Sequence, residues 1–111
     1  MRDCVFLLAD LNMKATFLGF LTRQKFYMSL GISEFDFDPD QDLIVHTGGN
    51  DPGVYNNAHN LLGFYQKSHR YAVIVLDNEW SGSPDVRNIE THISSNMIRN
   101  GWSKRLFVNV R

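Results

Sequence analysis

One cysteine, three prolines and a formal net charge of −1 leave this chain of 111 residues short of several kinds of chemistry. Cys4 stands alone, so no disulfide framework forms within the chain, which fits a reducing cytosol. It lies in an apolar segment and reads as a buried structural thiol rather than a nucleophile. The near-zero charge provides no general basic field for nucleic acid, so any such contact rests on a local patch. No stretch approaches the roughly 20 apolar residues of a membrane span. The N-terminal apolar run is bracketed by Asp3 and Asp10 and has no small-residue cleavage site after it, unlike a signal peptide. There is no internal repeat, linker or low-complexity segment. A GK[ST] phosphate loop, a GxGxxG dinucleotide fingerprint, a GxSxG elbow, an HExxH pair and Cys/His zinc spacing are all missing. Nucleophilic hydrolysis therefore has no support in the motifs.

Hydrophobic residues make up 43% of the chain and aromatics 13%, enough for the core of one compact domain. The length is too small for two. The reading is a single domain over residues 1–111, cytoplasmic and without membrane attachment. The chain ends directly after a strand pattern, so a fragment of a longer protein stays open as an alternative.

The apolar run Val5 to Ala9 predicts a buried strand with Asp10 at its C-terminal end. Asn12 is a helix cap, and Met13, Phe17 and Leu21 recur at helical spacing to about Gln24. Phe26 to Ile32 reads as a further turn stopped by Gly31. Glu34 to Asp38 alternates acidic and aromatic residues, the pattern of a strand with one wet face, and Pro39-Asp40 makes a turn. Leu43 to Val45 is a short apolar run ending at His46. Asp51 as cap and Pro52 at the first position open a helix with Val54, Ala58, Leu61, Leu62 and Tyr65 on one side. Lys67 to Arg70, His69 included, is a polar link. Ala72 to Leu76 is the central strand, ending abruptly in Asp77-Asn78-Glu79. Ser83-Pro84 opens a last helix with Val86, Ile89, Ile93 and Met97 as its stripe, capped by Gly101. Leu106, Val108 and Val110 alternate as a final strand. Strands and helices alternate, which predicts an α/β fold: a mostly parallel open sheet of about four strands flanked by helices on both faces.

Parallel sheets build their sites at the C-terminal ends of strands. Asp10, Asp77 and Glu79 are placed to meet there. Two unit charges about 4 Å apart at an effective dielectric near ~20 cost about 4 kcal/mol. A hard divalent cation, Mg²⁺ or Mn²⁺, relieves that cost, and without one a carboxyl should hold its proton. The alternative is that Asp10 and Asp77 cap loops or helices and Glu79 is simply solvated. A second constellation is His46 with the loop Thr47-Gly48-Gly49 and Asp51-Pro52-Gly53. Glycines admit close backbone approach and a helix N-terminus favours anions, so a phosphate fits there; a tight turn before a helix is the plainer reading. His59 and His92 fall within helices as ordinary histidines. Trp80 reads as an apolar lid over the sheet edge, and Trp102 packs beneath the last helix.

An acidic residue after the first strand, followed by an acidic-x-acidic pair after a later parallel strand, resembles the TOPRIM pattern of topoisomerases, primases and related nucleases. More narrowly, FLLADLNM, IVHTGGNDPGVYNNAH, VIVLDNEWSGSP and a helix ending in GW resemble an uncharacterised bacterial TOPRIM-like group, some of whose members accompany phage-defence genes. The resemblance implies Mg²⁺-dependent phosphodiester cleavage or phosphoryl transfer. The family's first glutamate falls on Asp10 and its acidic pair on Asp77 and Glu79. A second acidic position falls near Lys14, a reversal of charge, and Asp10 is one methylene shorter than glutamate; both bear on general-base chemistry. The expectation is thus a nuclease-like domain in which Asp10, Asp77 and Glu79 bind metal, with His46, Thr47, Gly48 and Gly49 at the phosphate. Nucleic acid or other defence proteins are the expected partners. The alternative is a catalytically inactive protein-interaction subunit using apolar surface around Phe26, Tyr27 and the open edge after Arg111. A receiver-type phospho-acceptor domain fits less well, because only Asp10 stands where that type has paired acids.

Overall fold

The structure is a computed structural model, and it describes residues 2–10, 38–46, 50–102 and 105–110. Strand β1 (Arg2–Leu8) and strand β3 (His69–Leu76) are adjacent and parallel. Cys4 to Ala9 and Ala72 to Leu76 are all buried. An unbroken apolar run of this kind suits a strand covered on both faces, as parallel strands are. Strand β2 (Leu43–Val45) pairs with the other side of β1, and strand β4 (Leu106–Val110) with the other side of β3. The order is β2-β1-β3-β4, all parallel. β4 alternates partly buried and exposed residues, as an edge strand with one wet face should.

Helix α1 (Pro39–Asp42) is a single turn in place of the expected Pro39-Asp40 turn, capped by the Asp38 carboxylate, which accepts from the Asp40 amide at 3.0 Å. The strand expected over Glu34 to Asp38 lies outside the described residues except for Asp38. The helix expected from Asn12 to Gln24 and the turn at Phe26 to Ile32 also lie outside them.

Helix α2 (Asp51–Leu62) buries Val54, Ala58 and Leu62, and helix α3 (Val86–Met97) buries Ile89, Ile93 and Met97. Each set is spaced by four, one stripe per helix. α2 packs on β1 and β3, α3 packs on β4, and the two helices touch, so both cover the same face of the sheet. Full burial of each Val, Leu, Ile or Met side chain among these contributes about 1.5–3 kcal/mol.

α3 runs into a wider π-type turn, Ile98–Trp102, where Gly101 takes φ 107°, the left-handed stop expected of it. Trp102 is fully buried in the core, with the Arg105 guanidinium 5.4 Å from its ring centre. Among the described residues, no helix is long and apolar enough to cross a membrane.

Candidate functional site at the C-terminal edge of the sheet

Leu8 pairs with both Val45 and Val75, and Leu76 with Val110, so the strands end together. The chain leaves β1 for β2 on one side, while β3 lies on the other. The ends of β1 and β3 therefore flank the topological switch point, where open α/β sheets leave a crevice.

Asp10 lies two residues past β1, His46 directly after β2, and Asp77 directly after β3. The His46 amide donates to the Leu8 carbonyl at 2.9 Å, which ties His46 beside the end of β1. Its ring lies against the first turn of α2. A Cβ on Gly53 would come within 2.5 Å of His46 Cε1 and 2.6 Å of Nε2, so glycine gives the imidazole its place.

The start of α2 differs from expectation. Asn50, not Asp51, caps it: Asn50 Oδ1 accepts from the Gly53 amide at 2.7 Å. Asp51 is thereby moved into the first turn, and its Oδ1 accepts from the Asp77 amide at 2.9 Å. Burial pushes the Asp51 carboxyl up from its usual range; the Asp77 amide bond opposes this, and the charges of Asp77 and Asp10 push it further up. Asp51 thus joins the acidic group that sequence assigned to Asp10, Asp77 and Glu79. The side chains of Asp10 and Asp77 are half-buried, whereas Glu79 is exposed. Among the described residues, no group of three or more His, Cys, Asp or Glu side chains is arranged to hold a metal ion. Thr47, Gly48 and Gly49 lie outside the described residues.

The loop after β3 folds back on itself. Ser83 Oγ donates to the Asn78 carbonyl at 2.5 Å and the Ser83 amide to the Trp80 carbonyl at 3.1 Å, with Gly82 at φ 79°. Ser83 is therefore spent on the loop, and the cap of α3 is Asp85, which accepts from the Asn88 amide at 2.8 Å. Trp80 is half-buried against the core, 5.8 Å from the Tyr55 ring, which stacks on His92 at 4.2 Å. This is the apolar cover expected of it.

The opposite edge holds a polar network that sequence reasoning missed. His69 is not in a link; it is the first residue of β3 and only 3% exposed. Its Nε2 lies 2.8 Å from Oδ1 of Asp42, which is fully buried. Arg2 grips the same carboxylate through Nε at 2.5 Å and Nη2 at 2.7 Å, and the Asp38 amide donates to Oδ2 at 2.8 Å. Burial would raise the Asp42 carboxyl, but hydrogen bonds from Arg2, Asp38 and His69 outweigh it and hold the group below its usual range. Ser68 Oγ lies 2.8 Å from the other ring nitrogen, Nδ1. The only sequence signal was a histidine beside the central apolar run.

No family model, curated protein or solved structure matches the chain.

Proposed function

We propose that the C-terminal edge is a Mg²⁺- or Mn²⁺-dependent site for phosphodiester cleavage or phosphoryl transfer, of TOPRIM-like type. The observation that carries the reading is the convergence of Asp10, Asp77 and Asp51 at the switch point, with the Asp51 carboxyl raised by burial and by its acidic neighbours. The donor set does not suit a closed protein cage. It fits an ion that takes one or two carboxylates, keeps several waters and completes its shell with substrate phosphate, which is how Mg²⁺ is commonly held. Asp77 and Asp10 would hold it, and Glu79, exposed on the loop after β3, is the further ligand assigned to it. The ion supplies neutralisation of charge on the transferring phosphoryl oxygens. Asp51 anchors the Asp77 backbone, and His46, whose ring lies beside the start of α2, is the side chain proposed to meet the phosphate. Thr47, Gly48 and Gly49, outside the described residues, keep the phosphate-binding role expected of them from sequence. Nucleic acid is the substrate class, and a role in phage defence in the cytoplasm follows the family resemblance.

A second reading is an inactive interaction subunit of a defence system. Exposed Phe107 on the edge strand β4, 6.2 Å from Tyr71, and exposed Ile98 favour it. Phe26 and Tyr27, expected on that surface, lie outside the described residues. Calorimetric titration of Mg²⁺ and Mn²⁺ into the wild type and Asp77→Ala separates the readings. Binding that disappears with Asp77 supports the metal-dependent site. Equal binding by both proteins removes the Asp77 assignment, and no binding at millimolar metal favours the interaction subunit.

A further inference from the structure

We propose that Ser68, His69 and Asp42 form a nucleophilic serine centre at the N-terminal edge of the sheet, acting on short carboxylic esters with an apolar acyl group. The site is separate from the acidic edge and uses none of its residues.

The protonation pattern follows from the geometry. Asp42 is ionised and accepts only, from Arg2, from the Asp38 amide and from His69. His69 Nε2 must therefore carry a hydrogen. In the neutral imidazole that leaves Nδ1 bare, facing Ser68 Oγ at 2.8 Å. The hydroxyl then donates to His69, the arrangement of a nucleophile and its general base with a carboxylate orienting the ring. The Tyr65 carbonyl, at 3.3 Å, is the hydroxyl's alternative acceptor and the longer contact. The serine backbone is held from both sides: the Arg2 amide donates to the Ser68 carbonyl at 2.9 Å, and the Ser68 amide to the Tyr65 carbonyl at 3.2 Å.

The relay is covered at its base and open at its tip. Asp42 and His69 are buried, Ser68 is exposed, and Ser68 and His69 line an open cleft of about 540 Å³. Phe64, 91% exposed, stands in the wall of the cleft beside Tyr65, with ring centres 5.9 Å apart. An aromatic left this exposed beside a polar relay provides a surface for an apolar acyl group. Lys67 also lines the cleft.

In the first step Ser68 Oγ bonds to the ester carbonyl carbon and passes its proton to His69 Nδ1. The tetrahedral intermediate collapses, the bond to the leaving oxygen breaks, and that oxygen takes the proton from Nδ1. Water then adds to the acyl-serine by the same route, releasing the acid and restoring Ser68. Ester plus water gives acid plus alcohol, with no redox partner.

The test treats the full chain with an alkyl fluorophosphonate in EDTA, so that the outcome does not depend on metal at the acidic edge. Intact-mass and peptide analysis locate the adduct, in which the serine oxygen bonds to phosphorus and fluoride leaves. The expected result is one adduct, on Ser68, formed about 100-fold faster than in His69→Gln, the scale of a lost general base. Hydrolysis of p-nitrophenyl butyrate should be lost in Ser68→Ala, a substitution at an exposed position. Labelling of Ser68 no faster than that of exposed Ser81 or Ser95 in the wild type overturns the proposal, whatever the stability of the His69 variant.

Discussion

Truncating Asp42 to alanine removes the acceptor at the centre of the N-terminal network. The carboxylate is fully buried and receives Arg2 at 2.5 and 2.7 Å, His69 at 2.8 Å and the Asp38 amide at 2.8 Å. Breaking a buried ion pair by removing one partner costs about 3–5 kcal/mol, because the remaining charge stays desolvated. The Arg2 side chain is 22% exposed and regains some water, so the lower end, about 3 kcal/mol, applies here. That is a large fraction of the roughly 5–15 kcal/mol that holds a domain folded. The Asp42 carboxyl is held below its usual range, so its stabilisation is present above its unfolded value near about pH 4 and is lost as pH falls through the lower folded value. Urea melts of wild type and Asp42→Ala, followed by far-ultraviolet circular dichroism, should differ by about 3 kcal/mol at neutral pH and converge only in stronger acid. A loss at neutral pH below ~1 kcal/mol, the range of exposed pairs, would refute the reasoning.

Three further outcomes follow from other contacts. The Asp51 carboxyl is raised by burial and by its acidic neighbours, so its ionisation opposes folding as pH rises through its folded value; Asp51→Asn keeps an oxygen for the Asp77 amide and should melt higher at neutral pH, with the gain gone below about pH 4. A lower neutral-pH melting temperature for the asparagine variant contradicts this. Gly53→Ala places a Cβ 2.5 Å from the His46 ring and 2.7 Å from Asn50 Oδ1; overpacking of about 1–3 kcal/mol outweighs the gain in helix propensity of about 1 kcal/mol. Chemical denaturation decides it, and a stabilised alanine variant shows that His46 yields. Burial, with the charges of Asp3 and Asp42, pushes the Cys4 thiol up to about 12, so iodoacetamide should modify it only under unfolding conditions. Native-state alkylation at the unfolded rate contradicts that burial.

What the sequence by itself determined is what local pattern controls. Unbroken apolar runs marked β1 and β3 because strands covered on both faces bury every side chain, and apolar stripes at helical spacing marked α2 and α3, although Val86, expected in the α3 stripe, is exposed. The alternation of elements carried the α/β class, and strands ending in Asp10 and Asp77 carried an acidic edge. Helix caps were harder: Asn50, Asp51 and Ser83, Asp85 offer similar side-chain oxygens within two residues, and tertiary partners chose among them. Asp51 was drawn off by the Asp77 amide, and Ser83 by the Asn78 carbonyl. Only the tertiary structure decided which charged groups meet. Arg2 and Asp42 are 40 residues apart, and His69 is 27 from Asp42; they meet because β1 lies between β2 and β3, with Arg2 in register with His69. Strand order and register set that meeting, and hydrophobic periodicity carries no information about either.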